Sequence, residues 1–334
     1  MRVFCTGISG TGATEHIKKV VQYGHSKGEE ITMFNVGQEV IKFSKECGAP
    51  ITPTGVLDLN KSALRYLTGG AYKEIARQIG ECKHCIIDGH LNFRWRGTMI
   101  DAATQDIVKS LEPEMYVTLM DLVRPIAKRL ENDTKQWRYE FEKGNLTLAN
   151  ILDWQKVEVQ TTSQWAAAHK KPMYVLPTND SADSLFKITT CKKVEVAYIS
   201  FPISHIRNDP ESQQKIDQFV TELRRFKDLA IISPRALMLP ENPSEIENQY
   251  TVMQDLEWFV EKSTERIFVY FPKKVYSRGV DHESIRAKES CKDVWFIAPP
   301  EMDDPFTNST IHQRFYSSEE CIEKMLESGM EREP

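Results

Sequence analysis

No stretch of this chain is apolar for the roughly 18 to 20 residues that a membrane helix needs, so no membrane role is expected. Positive charge is not in excess either. A formal net charge of −5 argues against a dedicated nucleic-acid binder and leaves room only for a local basic patch. The seven cysteines are odd in number and scattered, which argues for reduced thiols over a disulfide framework. One CxxC, Cys82-Lys83-His84-Cys85, has no second pair nearby, and Cys85 opens an apolar strand, so a metal site is not expected there. The N-terminus runs directly into a glycine-rich turn and does not read as a signal peptide, so a cytoplasmic location is expected. What is present is ordinary for a soluble globular protein: 40% hydrophobic and 27% charged residues in 334, a length that favours two domains.

The most informative stretch is residues 1–19. Val3-Phe4-Cys5 reads as a short strand and His16 onward as an amphipathic helix, with Gly7-Ile8-Ser9-Gly10-Thr11-Gly12-Ala13-Thr14 between them. Against the P-loop pattern G-x-x-x-x-G-K-[ST], both fixed glycines and the final Thr match, but Ala13 stands in the place of the Lys. Glycines let the backbone curl closely around a phosphate chain, so that the N–H groups of Gly7, Ser9, Gly10, Thr11, Gly12, Ala13 and Thr14 would cradle ATP. The helix that follows adds donors and a positive dipole end. The Thr14 hydroxyl would be offered to Mg²⁺.

The rest of the first half alternates strand and helix. Ile31 to Val36 and Met115 to Met120 read as strands, residues 61–80 and 145–170 as helices, and Met173 to Leu176 as a last strand. Cys85-Ile86-Ile87-Asp88-Gly89-His90 is an apolar strand ending in an acid. Asp88 then stands where a Walker-B-like carboxylate holds Mg²⁺ through water, or else caps a helix. Lys128, Arg129, Lys135 and Arg138 form a basic cluster beside Trp137 and Tyr139, which reads either as a solvated helix face or as cations on a mobile segment that closes over a transferring phosphoryl group. This alternation implies a parallel, helix-covered sheet.

The series TGISGTGAT, FNVG (34–37), IIDGH (86–90), Arg94 and the Arg129 to Arg138 segment resembles the archaeal-type adenylate kinases over roughly residues 1–188. The resemblance implies ATP and Mg²⁺ at Gly7, Gly10, Gly12 and Thr14, and Asp88 and His90 at the reaction centre. It places Arg94 near the acceptor nucleotide and Arg129 and Arg138 in a lid; Asn35 and Arg96 are further candidate substrate-binding residues. Three departures weaken AMP as the acceptor. Gln136 replaces an Arg in the lid run Asp133-Thr134-Lys135-Gln136-Trp137-Arg138, Leu57 stands where an acceptor-side Arg belongs, and Asn92 to Gly97 replaces a Pro-Gly loop. Loss of one charge-assisted phosphate contact removes about 2 to 3 kcal/mol of transition-state stabilisation.

Residues 177–193 are turn-rich and mark the boundary, giving domains 1–188 and 194–334. Val194 to Ser200, Leu229 to Ile232, Arg266 to Tyr270 and Asp293 to Ile297 read as strands, Glu211 to Phe226 and Gly279 to Lys288 as helices, and residues 301–334 as an acidic surface helix with a frayed end. The second domain is thus a smaller, flavodoxin-like α/β sandwich. Its YISFPIS start (198–204) and the turn Ser277-Arg278-Gly279-Val280-Asp281-His282-Glu283 resemble the nucleoside 2-deoxyribosyltransferases over roughly residues 194–300. That resemblance implies Glu283 as the nucleophile, Tyr198 as its orienting partner, Gly279 in the substrate turn and, loosely, Asp255 as a second acid. Arg207 and Arg278 would suit a phosphate and so a nucleotide substrate.

The expected function is nucleotide metabolism, with kinase-like phosphoryl transfer in the first half and N-glycosyl-bond hydrolysis or transfer in the second. The alternative is a catalytically weak sensor whose ATP binding regulates the second domain. Small-molecule nucleotides are the expected partners, with no nucleic acid and no membrane. A homo-oligomer is left open.

Overall fold

Segments apolar on both faces need cover on both faces, and this chain answers with two parallel sheets sheathed by helices. In the computed structural model the described residues are 1–133, 135–237, 239, 242–303 and 305–333, with the side chains of all but 135, 136, 236, 237, 306 and 307. The chain divides into two compact units, Met1–Ala182 and Asp183–Pro334.

The strands of the first unit are Arg2–Thr6 (β1), Ile31–Asn35 (β2), His84–Gly89 (β3), Asn92–Trp95 (β4), Thr98–Asp101 (β5), Met115–Met120 (β6) and Met173–Pro177 (β7). Five of them form a parallel sheet in the order β2-β3-β1-β6-β7, while β4 and β5 pair as an antiparallel hairpin. Every residue of β3 and β6 is buried, as central parallel strands require. The chain leaves β1 toward β2 on one side and leaves β3 toward β6 on the other. Connections therefore part between β1 and β3, and a crevice opens there at the carboxyl ends of the strands.

The second unit contains Glu195–Ser200 (β8), Leu229–Ile232 (β9), Arg266–Tyr270 (β10), Asp293–Ile297 (β11) and Gln313–Phe315 (β12). Its parallel sheet runs β12-β11-β10-β8-β9, the flavodoxin-like order read from the other edge, with the switch point between β8 and β10. One face packs Ile199, Phe268, Tyr270 and Trp295 against Phe219, Leu223 and Met325.

Several expectations change. The segment after His90 is a hairpin, because Arg96 (φ 53°) and Gly97 (φ 73°) both take the left-handed conformation that a two-residue hairpin turn demands. The second strand ends at Asn35, whose side chain accepts from the Gln38 amide at 2.9 Å and starts the helix Val36–Glu46 one residue early. The boundary tract is not continuous turn: Ala182–Thr190 is a helix. The tail is more than a surface helix. It supplies β12, and the helix Ser318–Glu327 buries Cys321, Ile322 and Met325 in the core. Residues Gln254–Lys262 form a π-helical stretch.

Candidate active sites

β1 delivers the chain into the Gly7–Thr14 turn at the switch point. A Cβ on Gly7 would lie 2.6 Å from the Leu119 carbonyl oxygen, so only glycine fits between the turn and β6. Gly10 and Gly12 have φ of 83° and 82°, where L-residues are strained. Gly12 precedes the helix Ala13–Ser26 and offers no side-chain cap, whereas Asn35, Asn60 and Thr147 each cap the helix they precede. Among the described residues the first amides of Ala13–Ser26 receive no cap from the N-cap side chain, which is the arrangement an anion uses.

Across the crevice, β2 and β3 are in register at Asn35 and Asp88. Asp88 Oδ2 accepts from the Thr14 hydroxyl at 2.6 Å and from Asn35 Nδ2 at 2.7 Å. Burial raises the Asp88 pKa, and the hydrogen bond from Thr14 and the nearby His90 oppose that rise. His90 donates from Nδ1 to the Gly7 carbonyl at 2.5 Å and rests on Phe93, with ring centroids 4.9 Å apart. In its neutral form that bond fixes the proton on Nδ1 and leaves Nε2 as an acceptor. The Thr178 hydroxyl donates to the Thr11 carbonyl at 2.8 Å and ties the turn to the end of β7.

Glu158 is a residue that sequence reasoning missed. It is fully buried on the helix Leu148–His169 and accepts from the Thr6 hydroxyl, from the Leu91 and Asn92 amides at 2.9 Å each, and from Asn92 Nδ2 at 3.1 Å. One carboxylate thereby joins the end of β1 to the start of β4. An acid in a long helix gives no sign in sequence that it faces inward.

The predicted cations divide. Arg129 lies on the turn, with Nη1 donating to the Gly10 carbonyl at 2.6 Å and Nη2 paired with Asp121. Arg94 is held by the Asn145 carbonyl and Asp153, both at 3.3 Å, and Arg96 by Asp58 at 2.8 Å. Arg138 is paired with Glu142 at 3.2 Å. Among the described residues no contact joins Arg94, Arg96 or Arg138 to the Gly7–Thr14 turn. In the expected lid run, Thr134 and the side chains of Lys135 and Gln136 lie outside the described residues. Trp137, beside them, is buried between Trp95 (5.9 Å) and Trp154 (5.4 Å). Glu140 is fully buried and accepts from the Arg96 amide at 2.9 Å. In this conformation the segment is packed on the β4–β5 hairpin.

The donor set suits a hard divalent cation with a phosphate ligand: a hydroxyl, a carboxylate behind it and no sulfur. Thr14 and Asp88 would hold Mg²⁺ there. Among the described residues no group of three or more His, Cys, Asp or Glu forms an all-protein metal site, Cys82 and Cys85 included.

In the second unit the switch point gathers a different group. Tyr198 and Ser200, two residues apart and so on one face of β8, both donate to Glu283: Tyr198 Oη to Oε1 at 3.0 Å, and Ser200 Oγ to Oε2. Ser200 was not foreseen as a site residue; its period-two spacing from Tyr198 was the available signal. The Tyr198 ring stacks on Phe259 at 6.2 Å. Glu283 lies in the helix Arg278–Glu289, whose N-cap Ser277 makes no side-chain cap. Burial pushes Glu283 up to about 7, against the two hydroxyl donors. Asp255, in the first turn of the π-helical stretch, is pushed well above the usual carboxylate range by burial and then by the Glu283 charge. Tyr198 is likewise raised, by burial first, and keeps its proton. Two buried carboxyl groups, both with raised proton affinity and with the Glu283 charge acting on Asp255, are raw material for acid and nucleophile chemistry. Gly279 and Arg278 are exposed in the first turn of the Glu283 helix. Arg207 is exposed, and no described hydrogen bond or ion pair links its side chain to Glu283.

A protein-family model described as an AAA domain matches residues 6–143, the span that holds the glycine-rich turn, Asp88 and Arg129. The first unit is a P-loop domain. Its character is nucleotide-binding and kinase-like, and the matched span begins just before the glycine-rich Gly7–Thr14 turn. No curated protein matches the chain significantly. Among the described residues no helix is long and apolar enough to cross a membrane.

Proposed function

We propose that the chain is an enzyme of nucleotide metabolism, in which the P-loop domain transfers the γ-phosphoryl group of ATP to a nucleoside monophosphate. The second unit cleaves or transfers a nucleotide N-glycosyl bond. The first half of this reading is carried by the Thr14–Asp88 hydrogen bond of 2.6 Å at the mouth of a helix with no side-chain cap. In phosphoryl transfer an acceptor phosphate oxygen attacks the γ-phosphorus while the bond to the bridging oxygen of ADP breaks. Mg²⁺, when bound, would neutralise charge on the phosphate oxygens. The chain's own work is positioning. The P-loop amides orient the phosphates, Asp88 fixes the Thr14 hydroxyl and Asn35, and His90 holds the start of the turn.

In the second unit, ionised Glu283 attacks the anomeric carbon as the bond to the base breaks. Protonated Asp255 supplies a proton to the departing base. Water or a second base then displaces the glycosyl ester and frees Glu283. Tyr198 and Ser200 hold the carboxylate in line throughout.

The sensor reading is favoured by one observation: Ala13 leaves the P-loop without its lysine. Incubation with ATP and a panel of ribo- and deoxynucleoside monophosphates, followed by chromatography, separates the readings. ADP with a diphosphate product supports the kinase, free base supports the glycosyl enzyme, and neither product with tight ATP binding supports the sensor.

A further inference from the structure

Residue 13 brings no charge to the turn, yet a cation, Arg129, stands at the same turn. The helix Val123–Asn132 buries Val123, Ile126 and Leu130. Ile126 and Leu130 pack directly on the P-loop: a Cβ on Gly10 would lie 2.8 Å from Leu130 Cγ and 3.3 Å from Ile126 Cγ2. Gly10 is therefore the seat on which this helix docks, and the docking sets Arg129 over the loop. The position of a Cβ on Gly12 is 3.7 Å from Arg129 Nη1 and 3.9 Å from Cζ, so the guanidinium lies beside the residue that precedes Ala13.

Its anchor is rigid. Asp121 is 2% exposed, its Oδ1 accepts from the Leu122 amide at 2.7 Å, and its Oδ2 takes Arg129 Nη2. With Nη1 on the Gly10 carbonyl, two of the five guanidinium N–H donors are spent, and the side chain is 45% exposed. The rest can meet an anion with no swing of a distant segment.

We infer that Arg129 replaces the missing P-loop lysine, closing the phosphate chain of a nucleoside triphosphate between its guanidinium and the Gly7–Thr14 amides. This rests on the nucleotide-binding reading above and goes beyond it by naming where the charge comes from. Arg129 is thus a fixed part of the P-loop site, while Arg138, paired with Glu142, is not. An arginine also presents a planar fork in place of the lysine's point charge, which suits two phosphate oxygens at once.

The test is calorimetric titration of the full chain with ATP, ADP and adenosine, each with magnesium. It compares wild type, Arg129→Gln, the charge-neutral pair Asp121→Asn/Arg129→Gln, and Ala13→Lys on the Arg129→Gln background. The double neutral variant leaves no unpaired buried carboxylate, and thermal unfolding confirms that each chain is folded. ATP affinity should fall by about 10- to 100-fold in both Arg129→Gln chains, the range expected for a lost charge-assisted hydrogen bond. Adenosine affinity should stay unchanged, and Ala13→Lys should recover at least about tenfold, as a replaced charge-assisted contact would. Equal ATP affinity in wild type and the folded Arg129→Gln chains overturns the inference. So does a loss shared equally by adenosine, or a folded Ala13→Lys chain with no recovery. A wild type that binds no triphosphate instead removes the underlying nucleotide reading, a different and recognisable result.

Discussion

The two units solve the same topological problem with different chemistry. Each places its candidate site at the carboxyl edge of a parallel sheet, where connections diverge, and beside a helix that carries no side-chain cap. In the first unit the proposed recognition element is backbone: the eight contiguous residues Gly7 to Thr14. In the second it is side chain: Tyr198 and Ser200 meet Glu283 from 85 and 83 residues away in sequence. The backbone site excludes a Cβ at Gly7 and Gly10, whereas a side-chain site tolerates almost no change of functional group. Each variant below should hurt one unit and spare the other.

The largest effect belongs to Glu283, the proposed nucleophile. Glu283→Gln should lower any base release by about 10⁴-fold or more, because the amide cannot form the glycosyl ester. Phosphoryl transfer should be unchanged. Conversely, Asp88→Ala should cost phosphoryl transfer on the order of a thousandfold and spare base release, both followed by product chromatography. Equal loss of transfer in both variants would dissolve the division of labour.

Next comes pH. Because burial raises Glu283 from 4.5 to about 7, the native second unit binds more protons than its unfolded chain between those values. Its stability should therefore fall as pH rises from about 4.5 to about 7, with Asp255 acting in the same direction. Base release should rise over the upper part of that window as the nucleophile ionises. Denaturant titrations should show the Glu283→Gln chain losing less stability than wild type as the pH is raised. A wild-type second unit that gains stability over the window would contradict the burial of this group.

Smaller effects test the scaffolding of the first unit. Trp137→Ala should destabilise it by about 3 to 5 kcal/mol, since Trp137 fills the space between Trp95 and Trp154. A change within about 0.5 kcal/mol, typical of a surface position, would mean that the segment does not rest on the hairpin. Gly12→Ala should cost only about 1 to 3 kcal/mol, from its left-handed φ of 82°.

The difference between backbone and side-chain sites also decides what a sequence reveals. The strand, glycine-rich turn and helix of residues 2–26 were legible because they are contiguous, so local sterics suffice. Asp88 was legible as an acid closing an apolar run. Glu158 was not, since nothing local to a helix tells whether an acid meets solvent or, as here, the Leu91 and Asn92 amides. The β4–β5 hairpin hid behind Arg96, a residue seldom found at positive φ and held there by the pairing of Trp95 with Thr98. Trp137 was read with its basic neighbours, and only the packing of three tryptophans shows that it is buried. β12 was missed because three residues at a sheet edge carry too short a pattern to register.

Calorimetric titration of Mg·ATP into the whole chain and into its Gly10→Val variant tests the P-loop account most directly. A branched side chain at φ 83°, with Leu130 at 2.8 Å from its Cβ, cannot keep the cradle. Wild type should bind one triphosphate per chain and the variant none, while Glu283 chemistry in the second unit persists. Silence from wild type with every purine triphosphate, or undiminished binding by a folded variant, would contradict it.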